Sequence, residues 1–193
     1  MINESLRVYP GYHYALAILA RAKAAQGLHT AAAALYSRRY EIAPHPENLF
    51  DVAVALSAAG DLHGAKRAFA EFEQAARAEM NTPDNSNREL ALYYADYARN
   101  FAEALRIARR EAEARQDVHT LEVYAWVLHR SGARAEATST MRKVLATGVK
   151  SPAILAHAAE MALAESAEVA HMPHNRSERD GAWQTSPSGS QSH

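Results

Sequence analysis

The sequence predicts an all-α protein built from repeated pairs of helices. Alanine, leucine, arginine and glutamate dominate residues 13–165, and the alternating runs of β-branched residues that indicate strands are missing. Glycine and proline interrupt the helical pattern at regular intervals, which is typical of repeat architectures. The first markers share one period of roughly 34 residues, which separates Pro10 from Pro44 and Gly27 from Gly60.

The same period returns in the second half of the chain after one insertion. Ala104 and Ala137 are again one period apart, as are Ala32 and Ala65, whereas the interval from Ala65 to Ala104 is longer. The segment 80–87, Met-Asn-Thr-Pro-Asp-Asn-Ser-Asn, is polar and rich in turn-forming residues. We therefore expect it to lengthen the connection between the second and third pairs of helices.

Each of four successive segments has large and small apolar residues in its first helix, a turn, and then a small residue in its second helix that precedes another apolar residue. In the first two segments these residues are Leu16, Leu19, Ala20, Gly27, Ala32, Tyr36 and Pro44, and Leu49, Val52, Ala53, Leu56, Gly60, Ala65 and Phe69. In the last two they are Leu90, Ala91, Tyr94, Ala98, Ala104, Leu105 and Ala108, and Leu121, Tyr124, Ala125, Leu128, Gly132, Ala137, Met141 and Leu145.

This pattern resembles the tetratricopeptide repeat family, whose units have two helices, a period of about 34 residues and a glycine at the turn. Three features depart from it: Lys23 stands where an aromatic residue is usual, the second unit has no closing proline, and Ala98 takes the place of the turn glycine. The turn in that third unit is expected to be one residue longer. The small residues allow two helices to approach closely, and the large ones fill the remaining space.

The resemblance implies an α-solenoid, a right-handed superhelix of antiparallel helix pairs stabilised by stacking of neighbouring units. We expect a repeat domain at 1–166, with units at 13–45, 46–80, 84–116 and 118–150 and half-units at 3–10 and 152–166. A disordered polar tail is expected at 167–193, where helical periodicity ends. The half-units suggest a fragment of a longer array, or association of copies through the uncapped ends as a homo-oligomer.

Local signals support these helix boundaries. Asp61 and Asn100 are suited to cap helix N-termini, and Ser86 with Glu89 has the spacing of a capping box. Ser151 before Pro152 fits the start of the last helix. Gly27, Gly132 and Gly148 follow periodic segments, where a left-handed residue commonly ends a helix.

Composition excludes several classes of function. The chain has no cysteine, which rules out disulfides, thiolate zinc sites and cysteine nucleophiles. Its formal charge of −1 gives no net attraction to nucleic acid or to an anionic membrane surface. No apolar stretch approaches the roughly 20 residues of a membrane span, and no signal-peptide pattern is present, so no membrane insertion is expected and a cytoplasmic location is favoured.

The sequence favours a protein without catalytic residues, metal or cofactor. The best candidate metal ligands, Glu168, His171 and His174, lie in the segment predicted to be disordered and lack the helical spacing of known zinc motifs. No nucleophile elbow, phosphate-binding loop or dinucleotide fingerprint occurs, because the glycines stand singly at turns. The basic clusters Arg38–Arg39 and Arg106 with Arg109–Arg110 are expected on solvated faces.

The resemblance places the concave, partner-binding surface on the first helices of the units. By helical spacing, the residues of those helices that point away from the second helices are Tyr14, Arg21, Glu47, Phe50, Val54, Arg88, Leu92, His119, Glu122, Trp126 and His129. Aromatic residues and arginine are enriched at interfaces. The alternative interpretation is that Phe50 and Trp126 pack between neighbouring helix pairs.

These residues favour a non-catalytic scaffold that binds a protein or peptide segment in the concave groove. An acidic C-terminal tail is disfavoured as the partner, since Glu47, Asp51 and Glu122 would repel it. The second hypothesis is an accessory or assembly module of a larger protein or complex. An RNA-binding helical repeat is a weaker alternative, because Glu103, Glu111 and Glu113 interleave the basic cluster on the same helix.

Overall fold

The computed structural model describes residues 12–171, and for residues 163–171 it describes the backbone alone. Within this range the chain is helical throughout, with short turns and one longer connection. The helices are α1 (His13–Ala25), α2 (His29–Ile42), α3 (Pro46–Ala58), α4 (Leu62–Ala78), α5 (Asn87–Leu92), a π-helix (Tyr93–Tyr97), α6 (Phe101–Ala114), α7 (Val118–Arg130), α8 (Arg134–Ala146) and α9 (Pro152–His171).

The helices pack in sequence order. Each helix from α1 to α8 contacts the next one along the chain, and α7 also contacts α5 and α9, the first helices of its neighbouring pairs. The predicted all-α class is confirmed by this arrangement, which is consistent with a helical repeat. The predicted half-unit at 3–10 and the part of the predicted tail at 172–193 lie outside the described residues, while α9 continues beyond residue 166 to His171.

Small residues are buried where the helices of each pair pack together. Ala20, Ala53, Ala91 and Ala125 on the first helices are completely buried. The alanines predicted to face them on the second helices, at positions 32, 65, 104 and 137, are buried as well. Leu145 differs from the prediction, because its side chain points to solvent at the end of α8 and Val144 packs in the core instead.

The glycines predicted at helix ends adopt the left-handed conformation. Their φ angles are 75° at Gly27, 84° at Gly60, 89° at Gly132 and 76° at Gly148. A side chain is unfavourable in this region because Cβ approaches the backbone, and glycine has no Cβ. These glycines therefore reverse the chain without conformational strain.

The third pair reverses differently, and the prediction for Ala98 is wrong. Arg99, with φ of 53°, is the left-handed residue, and Ala98 keeps a helical conformation. The interval from the buried Ala91 to Arg99 is one residue longer than the corresponding interval from Ala20 to Gly27. The wider π-helix at Tyr93–Tyr97 accommodates this extra residue, which agrees with the expected longer turn.

The predicted N-terminal caps at Asp61 and Asn100 form. The Asp61 side chain accepts a hydrogen bond from the Gly64 backbone N–H, and Asn100 accepts one from Glu103. The predicted capping box at Ser86 does not form, because the Ser86 hydroxyl instead hydrogen-bonds to a Glu79 carboxylate oxygen at 3.4 Å, across the 79–86 connection.

Candidate functional site: the face of the first helices

The predicted binding residues lie on α1, α3, α5 and α7, and together with their polar neighbours we call this surface the first-helix face. It contains three classes of side chain. Exposed side chains are Tyr14, Arg21, Glu47 and His119; half-buried ones are Val54, Arg88, Leu92 and His129; buried ones are Phe50, Glu122 and Trp126. The buried three present little area to a partner.

Phe50 packs between the second and third helix pairs. Its ring centroid lies 5.2 Å from that of Phe72 on α4 and 6.2 Å from that of Tyr97 in the π-helix, and only 8% of the residue is exposed. Aromatic pairs at such distances add to the free energy of apolar burial. The structure therefore agrees with the alternative interpretation for Phe50, namely packing between neighbouring helix pairs.

Trp126 packs between the fourth pair and α9, and 3% of it is exposed. Its ring is stacked on His157 of α9 with centroids 3.9 Å apart and planes 7° apart. The indole Nε1–H donates to Asp96 of the π-helix at 3.0 Å, so the buried polar group is satisfied. The Arg130 guanidinium carbon lies 5.5 Å from the ring centroid, within the range of a cation–π contact.

Glu122 connects α7 to α9. Its carboxylate forms a hydrogen bond with His157 Nδ1, and 5% of the residue is exposed. A buried carboxylate needs such a partner, because removal of its charge from water is costly. Glu122 is thus a structural contact at the junction of α7 with α9.

Ion pairs connect successive helix pairs along the face. Arg39, near the end of α2, lies 2.6 Å from Asp51 and 3.7 Å from Glu47, both on α3. Arg88 of α5 lies 3.9 Å from Asp117, the residue before α7. Further along the chain, Asp96 and Arg130 are 3.4 Å apart. These contacts add to the apolar packing that holds the first helices, and the exposed pairs among them contribute little to stability.

Acidic side chains lie close together on α3 and α5. Burial raises the pKa of Asp51 to about 6, although Arg39 and Arg21 act in the opposite direction, and the nearby Glu47 raises it further. Burial also raises the pKa of Glu89 on α5, to which Glu47 and Asp51 again contribute by repulsion while Arg88 opposes them. Burial is therefore the main cause of both raised pKa values, and the carboxylates of this part of the face lie beside three arginines, Arg21, Arg39 and Arg88.

Sequence reasoning missed the polar residues that connect the units. Arg39 was expected on a solvated face with Arg38, but it is buried because its guanidinium reaches across to α3. His157 and Asp96 carried no motif that would single them out. Helical periodicity assigns a residue to a side of its own helix, and it does not say how closely the next helix approaches.

The described part of the chain offers no assembled metal site or membrane span. Among residues 12–171, no group of three or more histidine, aspartate or glutamate side chains is placed to hold a metal ion. Of the candidate ligands named above, His174 lies outside the described residues, as do the side chains of Glu168 and His171. No described helix has the length and hydropathy needed to cross a bilayer.

The first helices thus carry exposed aromatic and charged side chains, and polar contacts link neighbouring helix pairs. A comparison with protein-family models and with curated proteins finds no match to this chain.

Proposed function

We propose that the chain is a tetratricopeptide-like solenoid that acts as a non-catalytic scaffold and binds an extended or helical segment of a partner protein along the first-helix face. The observation that carries the proposal is the contrast within this face. Phe50, Glu122 and Trp126 are buried at the junctions, while Tyr14, Arg21 and His119 are exposed.

A rigid surface supports binding because less conformational entropy is lost when the partner associates. The Arg39–Asp51 pair joins the first two helix pairs, and the Arg88–Asp117 pair joins the third and fourth. The apolar core, to which these ion pairs add, packs the helices that carry the exposed residues against one another. This is the condition under which a few exposed side chains can select a partner.

The charged and aromatic side chains of the face indicate which residue types the partner segment should contain. The side chains of Glu47 and Asp51 are 49% and 38% exposed, and their carboxylates would repel an acidic segment. A segment that combines apolar residues with basic ones matches both these carboxylates and the exposed Tyr14 ring. This composition distinguishes the proposed partner from the acidic C-terminal tails that other members of the resembled family hold.

The test is selection of peptides from a random displayed library on the immobilised full chain, followed by measurement of each Kd by fluorescence anisotropy. We expect selected peptides to bind with a Kd that rises about tenfold or more for a variant carrying Tyr14→Ala and Glu47→Lys, since both side chains are exposed on the face and a lysine at 47 would repel a basic segment. Circular dichroism should be unchanged.

The matched control carries Leu62→Ala and Glu71→Lys, two exposed substitutions on the second helix α4. Its affinity for the selected peptides should stay within about twofold of the unmodified chain, because rim and remote charges contribute little. Equal loss of affinity in the two variants would reject the first-helix face as the binding surface.

A further inference from the structure

A polar cleft lies where the starts of α1 and α3 meet the 79–86 connection. Its volume is about 250 Å³, and the residues that line it include His13, Tyr14, Glu47, Asn48, Glu79 and Asp84. Tyr14 and Glu47 also belong to the first-helix face, so the cleft opens from that face. We call it the acid-lined cleft.

The charge of the cleft is negative. Glu47, Glu79 and Asp84 supply three carboxylates, and no lysine or arginine is among the described residues that line it. Arg39 partly balances Glu47 from 3.7 Å away, and Ser86 offers Glu79 only a neutral hydroxyl. The N-termini of α1 and α3 each add roughly half a positive charge, which is not enough to cancel the carboxylates.

A buried acceptor in the same cleft lacks a donor. Asn48 is 1% exposed, and its Nδ2 donates to the Ala43 carbonyl oxygen at 2.7 Å. This bond fixes the orientation of the amide and uses its Nδ2. The other polar atom, Oδ1, is buried without a hydrogen-bond partner in the described part of the chain. An unsatisfied buried acceptor is unfavourable, and a donor supplied by a ligand would remove this penalty.

Nδ1 of His13, another residue of the cleft wall, is also buried without a partner among residues 12–171. The exposed Tyr14 ring, 59% of which is accessible, lies beside it with ring centroids 4.0 Å apart. The cleft therefore combines carboxylates and a free amide oxygen with an aromatic ring. A guanidinium group suits this set best, because it has five N–H donors in a planar fork and stacks on aromatic rings.

We infer that the acid-lined cleft binds an arginine side chain of the partner segment, held by the carboxylates of Glu79 and Asp84 and by Asn48 Oδ1. This inference rests on the proposed function and specifies one residue of the partner. The guanidinium replaces the missing donor at Asn48, and the arginine stem lies against Tyr14. The rest of the partner segment continues along the first-helix face.

The experiment titrates the full-length, ¹⁵N-labelled chain with Nα-acetyl-arginine amide and follows chemical shifts by NMR. Nα-acetyl-citrulline amide, which has nearly the same shape and no charge, is the ligand control. We expect saturable shifts of the Asn48 side-chain amide and of the Ser86 backbone amide with the arginine probe. The citrulline probe should cause no saturable change at these positions.

Two charge-matched variants separate specific binding from general attraction. Glu79→Gln with Asp84→Asn should raise the Kd of the arginine probe about tenfold, since hydrogen bonds to charged groups are lost. Glu41→Gln with Glu71→Gln removes two exposed carboxylates from α2 and α4 and should leave the Kd unchanged. Both variants should retain the circular dichroism spectrum of the unmodified chain.

Equal responses to the two probes, or equal Kd values in the two variants, would overturn the inference. So would a dimer, seen by sedimentation, that dissociates on Glu79→Gln with Asp84→Asn, since a second copy would then occupy the cleft. Peptides that bind the face but do not depend on arginine would reject this inference and leave the proposed function intact. Arginine binding without any peptide binding would reject the proposed function alone.

Discussion

Two junctions between helix pairs use different chemistry. The aromatic junction, between α4 and the π-helix, consists of Phe50, Phe69, Phe72, Tyr93 and Tyr97. The polar junction, between α7 and α9, consists of Glu122, Trp126 and His157. Rings in the first junction contribute mainly through apolar area, which has no required direction, and less through the geometry of ring pairs. The second requires a defined hydrogen bond and a stacked pair, so it is stabilised only in one geometry.

The two junctions also belong to different core clusters. The aromatic junction lies inside the larger core cluster, which extends from Ala17 on α1 to Val127 on α7. The polar junction belongs to a smaller cluster, in which α9 contributes Ile154 and Met161 beside His157. Loss of the first junction should therefore destabilise most of the fold. Loss of the second should release α9 and leave the remaining helices packed.

Phe72→Ala breaks the aromatic junction and should have the largest effect. Its side chain is completely buried, so truncation leaves a cavity and lowers the free energy of unfolding by about 3–5 kcal/mol. Urea denaturation followed by circular dichroism measures this change. Phe101→Ala, at a residue 37% exposed, is the matched control and should cost less than about 1 kcal/mol. Similar losses in both variants would contradict the central role of the junction.

His157→Ala breaks the polar junction and should have a smaller, local effect. Glu122 then remains buried without its partner, which costs about 1–3 kcal/mol. Hydrogen exchange should become faster in α9 and stay unchanged in α1 to α4, since stability in a stack depends on neighbouring units. His119→Ala, at an exposed position of α7, is the control. Faster exchange throughout the chain would show that the two junctions are not independent.

Asp117→Ala tests whether charge near the polar junction makes stability depend on pH. Asp117 caps α7 by accepting from the His119 and Thr120 backbone N–H groups, so its loss should cost about 1 kcal/mol at pH 7. Burial acts to raise its pKa, but hydrogen bonds from Thr120 and His119 and the charge of Arg88 outweigh burial and lower it.

Because the pKa of Asp117 is lower in the folded state, its contribution is complete above the unfolded value and is lost as pH falls through about 4 and below. The difference in unfolding free energy between the unmodified chain and Asp117→Ala should therefore shrink at pH 3. Asn100→Ala removes the neutral cap of α6, beside the aromatic junction. Because an asparagine side chain does not titrate, the loss of unfolding free energy in this variant should not depend on pH through the cap. Equal pH dependence in both variants would refute this assignment.

Arg99→Gly should produce the smallest change, a gain of about 0.5 kcal/mol. Arg99 has φ of 53° at the turn next to the aromatic junction, and glycine relieves the contact of Cβ with the backbone while adding entropy to the unfolded chain. Ala98→Gly, one residue earlier in a helical conformation, should instead lose about 1 kcal/mol. Thermal unfolding distinguishes the two signs, and a loss in both variants would argue against strain at Arg99.

The sequence was sufficient for the helical class and for the turns at Gly27, Gly60 and Gly132, because glycine has a local physical reason to occupy a left-handed position. The sequence did not predict the left-handed conformation of Arg99 or the π-helix, because one extra residue in a helix does not change the composition of the segment. In the candidate site, the exposure of Tyr14 followed from helical spacing. The burial of Trp126 depended on His157, which lies two helices further along the chain.

The π-helix at Tyr93–Tyr97 has a consequence for how such a chain can vary. One added residue in an ordinary helix would rotate everything after it by about 100° and move core alanines to the surface. Here the added residue is absorbed within a single wide turn, and Ala104 still reaches its buried position. One inserted residue is thus accommodated at this point without disturbing the following helix, and comparisons that assume a fixed repeat length lose register there.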